Sequence, residues 1–286
     1  MTNTPLSDCL GIRPRLKIVD IGASAIDGAP PYAALLESTD AEVIGFEPDP
    51  QAWQELQEAK RPNEHYLPFA LGDGRTHELK ICAAPGMTSL LEPNLPILQL
   101  LPGFPEWGRV IRRVPVETRR LGEMPETQDV DYLKLDVQGA ELLILRHAGE
   151  RLREACVIHV EVEFLRLYHE QPLFSDVDMF LRRHGFTLHK FAHTVSRMIA
   201  PLHLSSNPYQ GLSQLVWADA VFIRDFERLD AMDDRKLLAT ASILHDCYGS
   251  YDVCMHYLAR LDARSGSGLA EAYLAALKGP ATATAA

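Results

Sequence analysis

The apolar positions of this chain fall into short continuous runs separated by segments of helical period, the alternation expected of a parallel α/β sheet. Leu16–Ile21 reads as a first buried strand, and Pro31–Glu37 as a helix opened by prolines. Glu42–Phe46 is a second strand, followed by a polar helix from Pro50 to Lys60. A third strand is expected at His65–Ala70 and another at His77–Cys82, after the turn Gly72-Asp73-Gly74. Asp131–Asp136 is the clearest strand, and the helix after it is expected to begin at Val137. Cys156–Val162 gives a fifth strand, and Ser175 reads as the N-cap of a helix over 176–184 ended by Gly185. Phe186–Phe191 and Gln214–Arg224 are the last strands and suit an antiparallel pair at the sheet edge.

The pattern changes after Asp225. Asp233–Leu277 carries Ala, Leu and paired charges with no strand period, so residues 227–286 read as a helical appendage with a frayed tail. Residues 1–226 form the α/β domain. The appendage is expected to pack on that domain or to build a homodimer contact. Ala83–Gly108 is rich in Pro and Gly and reads as a long loop, either a lid or a plain insertion.

Composition narrows the function. Of 286 residues, 47% are hydrophobic and 23% charged, with a net charge of −11. That balance argues against nucleic-acid binding, which draws its affinity from Lys and Arg. The basic cluster Arg109, Arg112, Arg113, Arg119 and Arg120 reads as a solvated face with local ion pairs or as a patch for an anionic acceptor. No apolar run approaches the ~20 residues that span a bilayer, and Met1–Pro5, with no basic segment followed by an apolar one, does not read as a signal peptide. Five scattered cysteines suit a reducing cytoplasm.

The candidate chemistry lies at the strand ends. Asp20-x-Gly22-Ala23 supplies one closely placed glycine rather than the several that a pyrophosphate needs. A nucleoside cofactor without phosphates, carrying an amino-acid end and a sulfonium, fits better, and Asp20 is placed to orient its amino group. Glu47 ends the second strand, where an acid accepts hydrogen bonds from both ribose hydroxyls. Asp136 ends the fourth strand and points into the same crevice. Glu161 and Glu163 share one strand face, as catalytic base, acceptor ligands or partners of nearby arginines. His159 reads as a satisfied core histidine, and His169 and His193 as loop residues able to take a proton. His245, Cys247, Cys254 and His256 have metal-ligand chemistry, but ligands two apart do not share a helix face, so no metal site is assigned.

Val19-Asp20-Ile21-Gly22-Ala23, Gly45-Phe46-Glu47-Pro48, Ala70-Leu71-Gly72-Asp73 and Leu133-Lys134-Leu135-Asp136-Val137-Gln138-Gly139-Ala140-Glu141 together resemble the FkbM family of S-adenosylmethionine-dependent methyltransferases, over Arg15 to Phe191. The resemblance implies a class I methyltransferase fold, a Rossmann-like seven-stranded sheet with an antiparallel closing hairpin. It implies S-adenosyl-L-methionine as cofactor and O-methylation of a sugar, glycan or natural-product hydroxyl. By position, Asp20, Gly22, Ala23 and Ser24 would line the methionine end, Glu47 and Pro48 the ribose, and Ala70, Leu71 and Asp73 the adenine. Asp136 or Glu163 is expected to take the hydroxyl proton. Two positions depart from the family pattern: Ser24 stands for Asn, with the next glycine delayed to Gly28, and Gln138 stands for Glu. A non-catalytic cofactor-binding module and a nicotinamide dehydrogenase are the competing readings.

Overall fold

The computed structural model describes residues 4–24, 28–202, 204, 207 and 209–278. Among them the strands are, in chain order, β1 (Arg15–Ile21), β2 (Asp40–Phe46), β3 (Glu64–Leu67), β4 (Ala70–Leu71), β5 (Thr76–Cys82), β6 (Val110–Arg119), β7 (Tyr132–Leu135), β8 (Val157–Glu163), β9 (Phe186–Arg197) and β10 (Gln214–Arg224). Seven of them form the main sheet in the order β3-β2-β1-β7-β8-β10-β9, and β4-β6-β5 form a second, three-stranded sheet. In the main sheet β3, β2, β1, β7 and β8 run parallel, while β10 is antiparallel to both β8 and β9. This is the mostly parallel sheet with an antiparallel closing hairpin that the strand pattern anticipates.

The helices are α1 (Leu6–Leu10), α2 (Ala33–Ser38), α3 (Pro50–Ala59), α4 (Leu95–Leu98), α5 (Phe104–Trp107), α6 (Glu141–Arg146), α7 (Arg151–Glu154), α8 (Phe174–Arg183), α9 (Asp234–Asp246), α10 (Tyr251–Ser265) and α11 (Leu269–Lys278). Strand alternation sends successive side chains to opposite faces. On one face Val19, Leu133, Leu135, Ile158, Ala220 and Phe222 meet Leu142, Leu145 and Leu181 of α6 and α8. On the other, Leu16, Ile18, Tyr132, Val157 and Val221 meet Leu237, Leu244, Tyr257, Leu258 and Tyr273 of α9–α11. The helices from Asp234 onward thus share a core with the sheet and form one of its covering layers. Each fully buried aliphatic there contributes about 1.5–3 kcal/mol.

Several elements differ from the sequence expectation. The third strand breaks after Leu67, because Pro68 cannot donate to a ladder; Ala70 and Leu71 then pair with Thr118 and Arg119 of β6 instead. The basic cluster runs along β6, from Arg109 just before it to Arg120 just after it, a strand that periodicity did not reveal because most of its residues are exposed. Arg113 is held by Glu78 at 2.8 Å and Glu92 at 2.7 Å. Ala83–Gly108 is packed rather than loose: Met87, Leu98, Leu101 and Phe104 are buried in a third apolar cluster with Cys82, Tyr168 and Val216. The helix after the fourth strand begins at Glu141, not Val137, because Gln138 (φ 57°) and Gly139 (φ 102°) are left-handed. Ser175 is not a cap; α8 starts at Phe174, and Asp176 closes its first turn by accepting the Leu173 N–H at 2.9 Å. His193 lies in β9, not in a loop.

Candidate cofactor and acceptor site

The parallel strands end together at their carboxyl edge, where an open α/β sheet presents its crevice. Asp20, Lys134 and His159 are successive register partners across β1, β7 and β8. One step further along, Glu161 faces Asp219, which faces His193. The face that carries α9–α11 deeper in the molecule therefore becomes a row of polar groups at its carboxyl end.

Asp20 is nearly fully buried, at 2% exposure. Its Oδ2 accepts a 2.6 Å hydrogen bond from the Tyr32 hydroxyl. Its Oδ1 lies 3.2 Å from Lys134 Nζ but has no well-aligned hydrogen bond. Lys134 Nζ also donates to the Gly22 carbonyl at 2.9 Å and lies 3.8 Å from Asp136 Oδ2. Burial opposes the Lys134 charge, but Asp20 and Asp136 outweigh it and raise its pKa. Among a chain's buried groups an ammonium paired in this way stays charged. Sequence reading assigned Lys134 no role; its signal is a single base inside the apolar run Tyr132–Leu135. Nor did it find Tyr32.

Gly22 takes φ 79°, and a Cβ there would lie 2.0 Å from the Asp136 carbonyl oxygen. Only glycine lets the ends of β1 and β7 approach so closely. Gly22 and Ala23 N–H both donate to the Phe46 carbonyl, tying the turn to the end of β2. Beside it Glu47 is buried, with Oε1 accepting the Asp49 N–H at 2.9 Å. Burial pushes the Glu47 carboxyl up, against opposing hydrogen bonds from the Asp49 and Ser24 N–H groups. Glu47 thus links the loop carrying Ser24 to the loop carrying Pro48.

Asp136 has a third of its side chain exposed (35%) and accepts from Gln138 Nε2 at 3.0 Å; the same amide nitrogen reaches Glu161 Oε2 at 2.8 Å. A glutamate at 138 would place a third carboxylate there; the amide instead bridges two. Glu141 accepts the Val137 and Gly139 N–H groups at 2.8 and 3.2 Å, and burial raises its pKa to about 7. Glu163 is buried, and burial together with the Glu141 and Asp136 charges drives its pKa well up. Glu161 is shifted the same way by burial and then by Asp136.

Asp73 is turned toward its own hairpin. It accepts from His77 Nε2 at 2.7 Å and from the Arg75 N–H at 3.1 Å. Burial alone would raise its pKa; those bonds prevail and lower it. Leu71 is buried and Ala70 half-buried in the adjoining β4. His159 is a satisfied core histidine, with Nδ1 2.9 Å from the Tyr248 hydroxyl. Both nitrogens of His245 are used, by the Tyr273 hydroxyl at 2.7 Å and the Thr4 carbonyl at 2.9 Å. Among the described residues no helix is long and apolar enough to cross a membrane.

The sequence model of the methyltransferase FkbM domain matches residues 20–188. The 2-O-methyltransferase NoeI of Sinorhizobium fredii (strain NBRC 101917 / NGR234) is 26% identical over 186 residues, which cover 58% of this chain and 72% of that protein. Among solved structures, the methyltransferase FkbM from Methylobacillus flagellatus KT is similar at 15% identity and a TM-score of 0.42, covering 77% of this chain and 48% of that one. The precorrin-6y C5,15-methyltransferase from Geobacter metallireducens GS-15 is similar at 13% identity and a TM-score of 0.36, covering 77% and 85%.

Proposed function

Since the chain belongs to the FkbM methyltransferase family, we propose that it transfers a methyl group from S-adenosyl-L-methionine to a hydroxyl of a sugar, glycan or natural product. The observation that carries this reading is the convergence of Asp20, Glu47 and Asp136 at adjoining strand ends around a left-handed Gly22. The residues fit the cofactor: Asp20 Oδ1, 3.2 Å from Lys134 Nζ, has no aligned hydrogen bond of its own and can accept one from an amino group. Glu47 accepts the Asp49 and Ser24 N–H groups, and the two oxygens of its carboxylate have further lone pairs to offer ribose hydroxyls. When bound, the cofactor supplies an electrophilic methyl on a sulfonium.

The protein's own part is placement and proton removal. The turn over 20–24 and Glu47 set the donor for an in-line approach. Asp136 is the more accessible of the two expected bases and takes the hydroxyl proton as the new bond forms. Glu163 is buried, and burial with the Glu141 and Asp136 charges favours its keeping a proton. The NoeI name supports oxygen as the methylated atom. Five unpaired thiols fit a reducing cytoplasm.

Calorimetric titration with S-adenosylmethionine, S-adenosylhomocysteine and NADH tests the reading. Binding of the first two and not the third is expected, followed by S-adenosylhomocysteine release with a sugar acceptor. Binding without turnover on any hydroxylated acceptor would favour a cofactor-binding module. NADH binding alone would overturn the assignment.

A further inference from the structure

Two residues beyond Asp136, Gln138 holds a left-handed backbone, φ 57°, a conformation that is costly for a residue with a Cβ and persists where its surroundings impose it. They impose it from three sides. Its carbonyl accepts from Ser89 Oγ at 2.6 Å. The N–H groups of Val137 and Gly139, on either side of it, donate to Glu141 Oε1 at 2.8 and 3.2 Å. Its own Nε2 donates to Asp136 Oδ1 at 3.0 Å and to Glu161 Oε2 at 2.8 Å. Ser89 and Glu141 are 1% and 3% exposed, so the frame around Gln138 is anchored in the core.

An amide nitrogen carries two protons, and here each goes to a different carboxyl. The reverse orientation would set the amide oxygen against two other oxygens, so the assignment follows from the partners. Asp136 Oδ1 and Glu161 Oε2 are therefore both held as acceptors. A proton on Glu161 must sit on Oε1, and Asp136 has its Oδ2 left to offer, 3.8 Å from Lys134 Nζ. Neither of these two oxygens is in a hydrogen bond among the described residues. Both side chains reach solvent, Asp136 at 35% exposure and Glu161 half-buried. Burial, and after it the Asp136 and Glu163 charges, pushes the Glu161 carboxyl well up, toward the form in which Oε1 donates.

We infer that Gln138 is a positioning residue that sorts the acceptor contacts between these two carboxyls, Asp136 Oδ2 receiving the reacting hydroxyl and Glu161 Oε1 donating to an oxygen on the neighbouring carbon, so that the acceptor is a vicinal diol or its equivalent. One nitrogen bonded at 3.0 and 2.8 Å keeps the two pinned oxygens within about 6 Å of each other. Hydrogen bonds of about 2.7 Å from carboxyls so close converge on oxygens carried by adjoining carbons. A lone alcohol would satisfy one carboxyl and leave the other without a partner. The inference rests on the methyltransferase reading, which makes Asp136 the base, and adds to it the residues that aim that base and select its substrate.

The test is carbon-13 NMR of the side-chain carboxyls in protein bound to S-adenosylhomocysteine, with the two signals assigned from Asp136→Asn and Glu161→Gln. The probes are trans-1,2-cyclohexanediol and cyclohexanol, which differ by one oxygen. The diol should shift both signals and bind at least about fivefold more tightly than cyclohexanol. Gln138→Gly keeps the left-handed backbone without steric cost and removes the amide. Its affinity for S-adenosylhomocysteine should stay within about twofold, while its preference for the diol falls to about twofold or less. Gln138→Glu, which sets an oxygen where Nε2 stood, should lose the preference as well. A preference retained in Gln138→Gly would mean that the residue serves the backbone alone, and would overturn the inference. So would equal binding of the two probes, or a diol that leaves the Glu161 signal unmoved. Failure of the wild type to bind S-adenosylhomocysteine would instead strike the cofactor reading, and the probes titrated without it still report on the carboxyl pair.

Discussion

Lys134→Met is the perturbation that most directly probes the site's electrostatics. Methionine keeps the length and apolar character of the stem and removes only the charge and its donors. Three partners lose it: Asp20 Oδ1 at 3.2 Å, the Gly22 carbonyl at 2.9 Å and Asp136 Oδ2 at 3.8 Å. The Asp136 contact is partly solvated and contributes little. The Asp20 contact is different, because the side chains are 11% and 2% exposed. Removing one member of a buried pair costs about 3–5 kcal/mol, mostly the penalty of the stranded charge. Against a total stability of roughly 5–15 kcal/mol this is large, and for a chain of this size it lowers Tm by roughly 6–15 °C. Denaturant unfolding of the wild type, Lys134→Met, Asp20→Asn and the double variant closes a cycle. The double variant should recover part of the loss, with a coupling of at least about 1 kcal/mol. A Lys134→Met penalty below about 1 kcal/mol, or strict additivity with Asp20→Asn, would refute the buried-pair argument.

Gly22→Ala should cut affinity for S-adenosylhomocysteine and lower stability together, because a Cβ would meet the Asp136 carbonyl oxygen at 2.0 Å and the left-handed backbone adds its own cost; calorimetry showing wild-type affinity would remove Gly22 from the site. Glu47→Ala should weaken cofactor binding by roughly 1–3 kcal/mol, the loss of hydrogen bonds from a buried acceptor, and an unchanged Kd would end the ribose assignment. The Glu141 carboxyl has its pKa raised to about 7 by burial, so the folded state holds a proton that the unfolded state releases. Its contribution is complete below the unfolded value and is lost as pH rises toward about 7. Glu141→Gln should therefore shrink the stability difference between about pH 5 and about pH 8, read from urea midpoints; an unchanged difference would mean that Glu141 ionises freely.

The parallel strands and the three strand-end acids were legible because buried strands read as continuous apolar runs and because an acid at such an end is conspicuous. The left-handed pair Gln138 and Gly139 was not, since their glycine-like backbone is imposed by contacts of Glu141 with the Val137 and Gly139 N–H groups. Lys134 stood in plain view within Tyr132–Leu135, but its meaning depends on Asp20, over a hundred residues away in sequence and a register partner in space. β6 was hidden because a strand of the outer sheet exposes most of its side chains and shows no apolar period.

The layer formed by α9, α10 and α11 has a consequence for how the molecule comes to exist. Every strand of the main sheet precedes these helices along the chain, so each emerges from the ribosome before its cover. Until Leu237, Leu244 and Tyr257 arrive, the Leu16, Ile18 and Val157 face stays wet. Nascent chains in that interval present a broad apolar surface of the kind that chaperones hold and that aggregates grow from. The crevice at the strand ends becomes a functional site only when helices that contribute none of its acids have closed the sheet behind it.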